Sequence, residues 1–219
     1  MQPSRAMLFD FDHTLGIDNR LEERVLRGLA VRYCKLVPTD ADIAAALHDF
    51  RSGQFALDTM IAEAVSAWGG IATPAIAHEY RAVAIALVPS SVEPMPGAGE
   101  LFEFLTSRGI RNAILSNGWR DLQAAKAAAI GYSGRVITSE EIGAWKPDAR
   151  AFICAASIAA VDPAQTLYVG DSPVADVEGS KNAGMRAVWA DLEGRDYPAG
   201  VAGPDYVIKR LTDLFALIT

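Results

Sequence analysis

Apolar residues follow two different periods along this chain. Between about residues 17 and 88 they recur three and four positions apart, as in Leu21, Val25 and Leu29, with no strand-like alternation between them. This spacing predicts four successive helices, and the last begins at Thr73-Pro74. After about residue 97 short apolar runs alternate with helical segments, which predicts a parallel sheet with helices on both faces.

A proline-rich segment separates the two patterns. Pro89–Gly97 holds three prolines and two serines, a composition typical of a linker. The first apolar run, from about Ala6 to Asp12, is predicted to be a strand of the later sheet, so this sheet is discontinuous in sequence. We therefore predict a doubly wound α/β domain, Rossmann-like, from residues 1–16 and 94–219. A small all-helical domain at residues 17–93 is inserted in it.

Two acidic residues stand where the first strand ends. The sequence there is Asp10-Phe11-Asp12, and the alternation of strand side chains puts Asp10 and Asp12 on the same face. Carboxylates held together repel each other, so burying them requires a cation or a shared proton. Taken alone, the pair is compatible with a functional site, or with one aspartate that caps a helix and one that is solvated.

Other polar groups follow the later strands of the predicted sheet. The carboxyl ends of strands in such a sheet converge on one crevice, so we expect these groups to meet there. They are Ser116, Asn117 and Gly118 after one strand, Lys146 ahead of Pro147, and Gly170, Asp171 and Asp176 after another.

This set of groups suits phosphoryl transfer. Clustered carboxylates suit Mg²⁺, for which Asp10 and Asp171 are the natural ligands. A serine hydroxyl and backbone amides suit phosphate oxygens, and Lys146 adds a positive charge. A carboxylate in this setting can act as a nucleophile, and Asp12 could protonate the leaving group and then activate water.

Composition narrows the range of partners. The chain has 219 residues, 51% of them hydrophobic and 21% charged, and a formal net charge of -7. The negative charge disfavours nucleic acid and anionic membranes as partners. Cys34 and Cys154 lie in apolar helical patterns and are expected to be reduced. Met1–Arg5 is too short and polar for a signal peptide, so we expect a cytoplasmic protein, either a monomer or a homodimer.

In these residues the chain resembles the haloacid dehalogenase-like hydrolase superfamily. All four motifs of the family are matched in order, on the predicted elements that carry them, and the resemblance covers nearly everything outside the helical insert. The matching segments are Asp10-Phe11-Asp12-His13-Thr14-Leu15, Ser116-Asn117-Gly118, Lys146-Pro147 and Gly170-Asp171-Ser172-Pro173-Val174-Ala175-Asp176.

The resemblance implies a role for each matching residue. Asp10 would be the nucleophile and a Mg²⁺ ligand, and Asp12 the general acid and base, with its backbone carbonyl on the metal. Ser116 would hold the phosphate, with further donors from Asn117 and Gly118. Lys146 would balance the charge of Asp10 and the phosphate. Asp171 would bind Mg²⁺ directly, whereas Asp176 would bind it or orient its waters, and the second role is favoured.

The resemblance also favours phosphate chemistry. Dehalogenases of the family lack the second aspartate, so Asp12 points to a Mg²⁺-dependent phosphatase of small phosphorylated metabolites, acting through an aspartyl-phosphate. The helical insert would be a cap that closes over the crevice, with hinges at Gly16–Arg20 and Pro89–Gly97. Two alternatives stay open: a mutase that transfers a phosphoryl group on a sugar phosphate, and a catalytically silent binding protein. His13 is expected to pack beside the loop.

Overall fold

The computed structural model describes residues 6–18, 20–51 and 56–218, without the side chains of residues 49–51. Met1–Arg5, which we judged too short and polar for a signal peptide, lies outside these residues. Asn19, in the first predicted hinge, also lies outside them. The chain divides into two compact units, one made of residues 1–17 and 93–219 and the other of residues 18–92. No helix in the described ranges is both long and apolar enough to traverse a bilayer.

The second unit is helical, as the periodicity predicts. Its helices are α1 (Leu21–Tyr33), α2 (Asp40–Arg51), α3 (Leu57–Ala67) and α4 (Pro74–Leu87). Proline is the first residue of α4, where its missing N–H costs no hydrogen bond. The predicted stripe of α1 is buried at Leu21, Val25 and Leu29. Its predicted last member, Tyr33, is 40% exposed, and its hydroxyl donates to Glu79.

The first unit contains a parallel sheet of six strands, in agreement with the predicted fold class. Its spatial order is β5-β4-β1-β6-β7-β8, and a separate two-stranded ribbon pairs β2 with β3. The strands are β1 (Ala6–Phe9), β2 (Gly16–Ile17), β3 (Glu93–Pro94), β4 (Arg111–Ser116), β5 (Arg135–Thr138), β6 (Thr166–Gly170), β7 (Arg186–Ala190) and β8 (Tyr206–Ile208).

Helices join these strands. They are α5 (Ala98–Ser107), α6 (Arg120–Ala129), α7 (Ser139–Ile142), α8 (Ala149–Ile158) and α9 (Gly179–Asn182). Every residue of β1 is buried because this strand lies at the centre of the sheet. One core cluster joins Leu8 of β1, Leu115 of β4 and Tyr168 of β6 to Phe152 of α8. The central strand is therefore held on both edges and by side-chain packing, which is the rigidity a site at its end requires.

The segments that flank the helical unit pair with each other, which the sequence analysis did not predict. Gly16 and Pro94, which lie in the two expected hinges, pair in the β2–β3 ribbon, and the amide of Met95 donates to the Leu15 carbonyl at 2.9 Å. Such short pairing leaves no periodic signal, so the sequence could not reveal it.

The predicted first strand ends at Phe9, not Asp12. Two later helical segments are not regular α-helices. Pro173–Glu178 is a π-helical turn followed by α9, and the closing segment Leu211–Leu217 is a 3₁₀ helix.

Candidate active site

The carboxyl ends of the three central strands meet at one edge of the sheet. Phe9 is in register with Ile114 of β4 on one side and with Val169 of β6 on the other. The amide of Asp10 still donates to the Val169 carbonyl at 2.8 Å, which anchors the first residue after the strand. The strand ends expected to converge, those before Asp10, Asn117 and Asp171, are therefore neighbours in the structure.

Asp10 and Asp12 lie on a tight loop, not on a strand. The Phe11 carbonyl accepts from the amides of Thr14, Leu15 and Gly16 at 3.2, 2.9 and 3.0 Å, so the chain turns back at once. A Cβ on Gly16 would lie 2.5 Å from the Phe11 ring, which explains the glycine. The strand ends before either aspartate, so the loop, and not the alternation of strand side chains, sets the directions of the two carboxylates.

Lys146 is the centre of the charged cluster. Its ammonium lies 2.6 Å from Asp10 Oδ1 and 2.7 Å from Asp176 Oδ1, and it donates to the Tyr168 hydroxyl at 3.1 Å. Burial alone would lower the pKa of Lys146, but the charges of Asp10 and Asp176 outweigh burial and hold that pKa well above its ordinary value. Lys146 is therefore a permanent cation shared between two carboxylates.

Asp176 approaches the strand because residue 170 has no side chain. A Cβ on Gly170 would lie 2.4 Å from the Asp176 carboxyl carbon. Asp176 is 1% exposed, and its Oδ2 accepts from the amide of Ser172 at 2.9 Å. The π-helical turn that carries Asp176 thus presents the carboxylate to both Lys146 and a backbone donor, which fixes its orientation.

Asp171 is held by an arginine from the segment between β7 and β8. Arg195 Nη2 donates to its Oδ2 at 2.9 Å and to its backbone carbonyl at 3.1 Å, and Trp189 Nε1 donates to the same carbonyl at 2.9 Å. The pKa of the Asp171 carboxyl is raised to about 6, first by burial and then by the charge of Asp176, while Arg195 opposes the rise. Negative charge in this region is therefore only partly balanced by the side chains present.

The cluster meets the requirements of a divalent cation. Asp10, Asp171 and Asp176 each offer an oxygen, and these oxygens lie within 4.8 Å of one another. Burial raises the pKa of Asp10 well above its usual range, against the pull of Lys146, and the neighbouring carboxylates add to the rise. A cation bound here would reverse those shifts, because it stabilises the ionised oxygens. Three hard oxygen donors with uncompensated charge fit a hard divalent cation.

Asp12 has a separate set of partners. Lys126 Nζ of α6 lies 2.8 Å from its Oδ1, and Gln123 Nε2 of the same helix lies 3.5 Å from its Oδ2. The Asp12 side chain is 31% exposed, against 10% for Asp10. The two aspartates of the motif therefore occupy distinct environments, each with its own lysine.

The Ser116-Asn117-Gly118 segment makes contacts within the protein. Ser116 is buried, and its hydroxyl makes a long contact of 3.4 Å with the Asn117 carbonyl. The Asn117 side chain brackets the backbone of Lys146, since it donates to the carbonyl at 3.1 Å and accepts from the amide at 2.9 Å. The amide of Gly118 donates to Ser139 Oγ at 2.8 Å. Asn117 thus holds Lys146 in place. The Ser116 hydroxyl makes only this weak contact in the bonds described for it, so it can donate to a ligand at little cost.

His13 contacts a surface acid. It has a φ of 57°, and its Nδ1 lies 3.1 Å from Glu193 Oε1 in the segment that also carries Arg195. The contact lies at the surface, where the His13 side chain is 34% exposed.

Sequence reasoning missed several residues of this site: Gln123, Lys126, Ser139, Tyr168, Glu193 and Arg195. Two of them left a signal. The buried face of α6 consists of Leu122, Gln123, Lys126 and Ala127, so an amide and an ammonium interrupt an apolar stripe. Arg195 stands in an irregular segment and left none.

Comparison with known proteins agrees with this architecture. The family of haloacid dehalogenase-like hydrolases matches residues 5–184, and the chain belongs to that family. Phosphoserine phosphatase of Thermus thermophilus is 39% identical over 111 residues, which are 49% of this chain and 44% of that protein. The chain therefore matches less than half the length of that relative.

Two further proteins match over nearly their whole length. Glyceraldehyde 3-phosphate phosphatase of Methanopyrus kandleri is 28% identical, covering 98% of this chain and 97% of that protein. Among solved structures, magnesium-bound YfnB of Bacillus subtilis superposes with a TM-score of 0.76 at 22% identity and covers 99% of both chains. At that identity the match demonstrates a shared fold.

Proposed function

We propose that this chain is a phosphoric monoester hydrolase that acts on a small phosphorylated metabolite through an aspartyl-phosphate. One observation carries the proposal. Asp10 emerges from the central strand beside Lys146, Asp171 and Asp176, while Asp12, two residues on, is held apart by a different lysine. A nucleophile beside a fixed ammonium and two further carboxylates that can hold a cation, with a second carboxyl paired to a different lysine, is what a two-step phosphoryl transfer requires.

In the first step a carboxylate oxygen of Asp10 attacks phosphorus. The bond between phosphorus and the leaving oxygen breaks, and Asp12 gives its proton to that oxygen, which leaves as an alcohol. Lys146 stays charged throughout and stabilises the negative charge spread over Asp10 and the transferred group. Asn117, through its two bonds to the Lys146 backbone, keeps the ammonium in place.

In the second step Asp12, now a carboxylate, takes a proton from water. The water oxygen attacks phosphorus, the bond between phosphorus and Asp10 breaks, and inorganic phosphate leaves with the Asp10 carboxylate regenerated. The exposed portion of the Asp12 side chain, 31%, gives solvent access for this proton transfer, whereas Asp10 is largely shielded from water.

Mg²⁺ would be held by Asp10, Asp171 and the backbone carbonyl of Asp12. When bound it supplies positive charge to the phosphate oxygens. Both oxygens of Asp176 already accept hydrogen bonds, from Lys146 and from the Ser172 amide, which supports a role in orienting metal-bound water. The Ser116 hydroxyl is the side-chain donor proposed for the phosphate, since its present contact is long.

The substrate class follows from the relatives. The names of two of them specify phosphate esters of small molecules, phosphoserine and glyceraldehyde 3-phosphate. We extend to this chain only the shared class, a small organic phosphate monoester. A mutase reaction on a sugar phosphate would use the same residues, so product analysis must accompany any activity assay.

The test is hydrolysis of an aryl phosphate with and without Mg²⁺. We expect phosphate release that depends on Mg²⁺ and that Asp10→Asn lowers at least about 10³-fold, because the amide is not a nucleophile. Asp162→Asn is the matched control, since Asp162 is exposed and precedes β6 at the opposite edge of the sheet. Full activity of Asp10→Asn would contradict the mechanism, and an isomer in place of free phosphate from sugar phosphates would indicate a mutase.

A further inference from the structure

A buried lysine outside the family motifs contacts the proposed acid and base. Lys126 is 1% exposed, and its ammonium lies 2.8 Å from Asp12 Oδ1. Burying an ammonium costs several kcal/mol unless it is paired. An apolar side chain on the same face of α6 would pack without that cost, as Leu122 and Ala127 do. The charge at this position therefore needs a reason other than stability.

Its neighbour Gln123 links the same carboxyl to the loop after β4. Gln123 is 3% exposed, and its Nε2 lies 3.4 Å from the Asn117 carbonyl and 3.5 Å from Asp12 Oδ2. Both neighbours are acceptors, so the amide nitrogen faces them and the orientation of the group is determined. Residue 118 is a glycine next to this amide, where a Cβ would lie 3.3 Å from Nε2.

The two oxygens of Asp12 are thus contacted from one helix. Asp10 is held by Lys146, which comes from the segment before α8, so separate elements hold the two carboxylates of the motif. The bond described for Lys126, and one of the two described for Gln123, are to the carboxylate oxygens of Asp12.

We propose that Lys126, assisted by Gln123, positions the Asp12 carboxyl for proton transfer to the leaving oxygen. Both are positioning residues that act through Asp12, and the inference rests on the phosphatase function proposed above. The buried charge at position 126 then has a function: it keeps Asp12 turned away from the Asp10 cluster and aligned with the bond that breaks.

This role makes a specific kinetic prediction. A good leaving group departs as an anion without help, whereas a poor one requires the proton. The value of kcat/KM reports the steps up to cleavage of the bond between phosphorus and the leaving oxygen, so water attack in the second step does not obscure it. Loss of positioning should therefore penalise poor leaving groups more than good ones.

The experiment measures kcat/KM with Mg²⁺ for 2,4-dinitrophenyl, 4-nitrophenyl and phenyl phosphate. We expect Lys126→Met to reduce kcat/KM for phenyl phosphate at least about tenfold more than for dinitrophenyl phosphate, within the range that general acid catalysis contributes. Asp12→Ala should give the same pattern more strongly. Combining the two changes should add little to Asp12→Ala alone, because Lys126 acts through that residue.

Three further variants distinguish positioning of Asp12 from a general loss of structure. Lys126→Arg keeps the charge and should restore much of the activity toward phenyl phosphate. Gln123→Leu should give a smaller leaving-group effect than Lys126→Met. If Lys126→Met does not fold, the leaving-group effect of Gln123→Leu is the test. Lys181→Met is the matched control, since Lys181 bonds Gly203 and Asp205 away from the site.

The possible results separate the two proposals. A uniform loss across all three esters in Lys126→Met and Gln123→Leu overturns the positioning role and leaves the phosphatase proposal intact. Absence of hydrolysis by the wild-type protein overturns the proposed function and this inference together. A selective loss for phenyl phosphate, reversed by Lys126→Arg, supports both.

Discussion

The two aspartates of the Asp10-Phe11-Asp12 segment, two residues apart, lie in opposite surroundings. Asp10 is in a crowded anionic cluster, where Lys146 donates to both Asp10 and Asp176. Burial raises the pKa of the Asp10 carboxyl. Asp12 reaches partial solvent exposure and has Lys126 as its ion-pair partner. A short loop can therefore separate a proposed nucleophile from a proposed proton carrier by giving each its own cation from a different element.

Removing each lysine tests this contrast most strongly. Lys146→Met leaves two buried carboxylates unpaired and should lower the free energy of unfolding by about 3–5 kcal/mol. Lys126→Met should cost clearly less, because Asp12 can turn to water. Urea unfolding of both variants measures the difference. Equal losses would mean that the surroundings of the two aspartates are energetically alike.

The uncompensated charge on the Asp10 side should make stability depend on pH and metal. The pKa of Asp171 is about 6 in the folded chain against 3.8 ordinarily, so folding favours its protonated form. Its contribution is thus present below pH 4 and is lost as pH rises through 6, by up to about 3 kcal/mol. Thermal unfolding in a chelator should reveal this loss.

Adding Mg²⁺ and replacing Asp171 test the cause of this pH-dependent loss of stability. Mg²⁺ should diminish the loss of stability, and Asp171→Asn should remove its share of it. Unfolding curves that do not change between pH 4 and 6 in the chelator, or that are unaffected by Mg²⁺, would argue against an uncompensated anionic cluster.

Crowding at Asp176 is the next feature to test. Gly170→Ala would place a methyl group 2.4 Å from the Asp176 carboxyl, so either β6 or the acid must move. We expect a loss of about 1–3 kcal/mol, as for overpacked cores, together with weaker Mg²⁺ binding. Calorimetric titration with Mg²⁺ checks the second effect. Gly99→Ala is the matched control, because a Cβ there meets nothing within 4 Å.

The smallest effect is expected at His13. Its side chain is 34% exposed and its contact with Glu193 is at the surface, so His13→Ala should change stability by less than about 0.5 kcal/mol. Activity should stay within a few-fold of wild type. A large loss of kcat would show that the residue between Asp12 and Thr14 takes part in the chemistry.

The sequence predicted the location of the site best where polar residues stand at the ends of apolar strands. Asp10, Ser116 and Asp171 could be assigned to one edge because each follows an apolar run, and parallel strands bring such ends together. Lys146 could be added because it stands just before a predicted helix, ahead of Pro147. The direction of each side chain could not be predicted, since the loop after Phe9 departs from strand geometry at once.

The sequence also could not predict which side chains pair with each other in the site. Lys126 is 114 residues from Asp12 in sequence, and nothing local to either indicates that they pair. The polar interruption on the buried face of α6 marks Lys126 as unusual without naming its partner. Arg195 is harder still, because irregular segments carry no periodicity that places a side chain.

The most direct measurement is chemical trapping of the intermediate. The protein is mixed with an aryl phosphate and Mg²⁺, quenched in acid and reduced with borohydride, which converts an aspartyl-phosphate to homoserine. We expect homoserine at position 10 in the wild-type protein and not in Asp10→Asn. Sustained turnover with no modified residue, or with the modification at another aspartate, would contradict it.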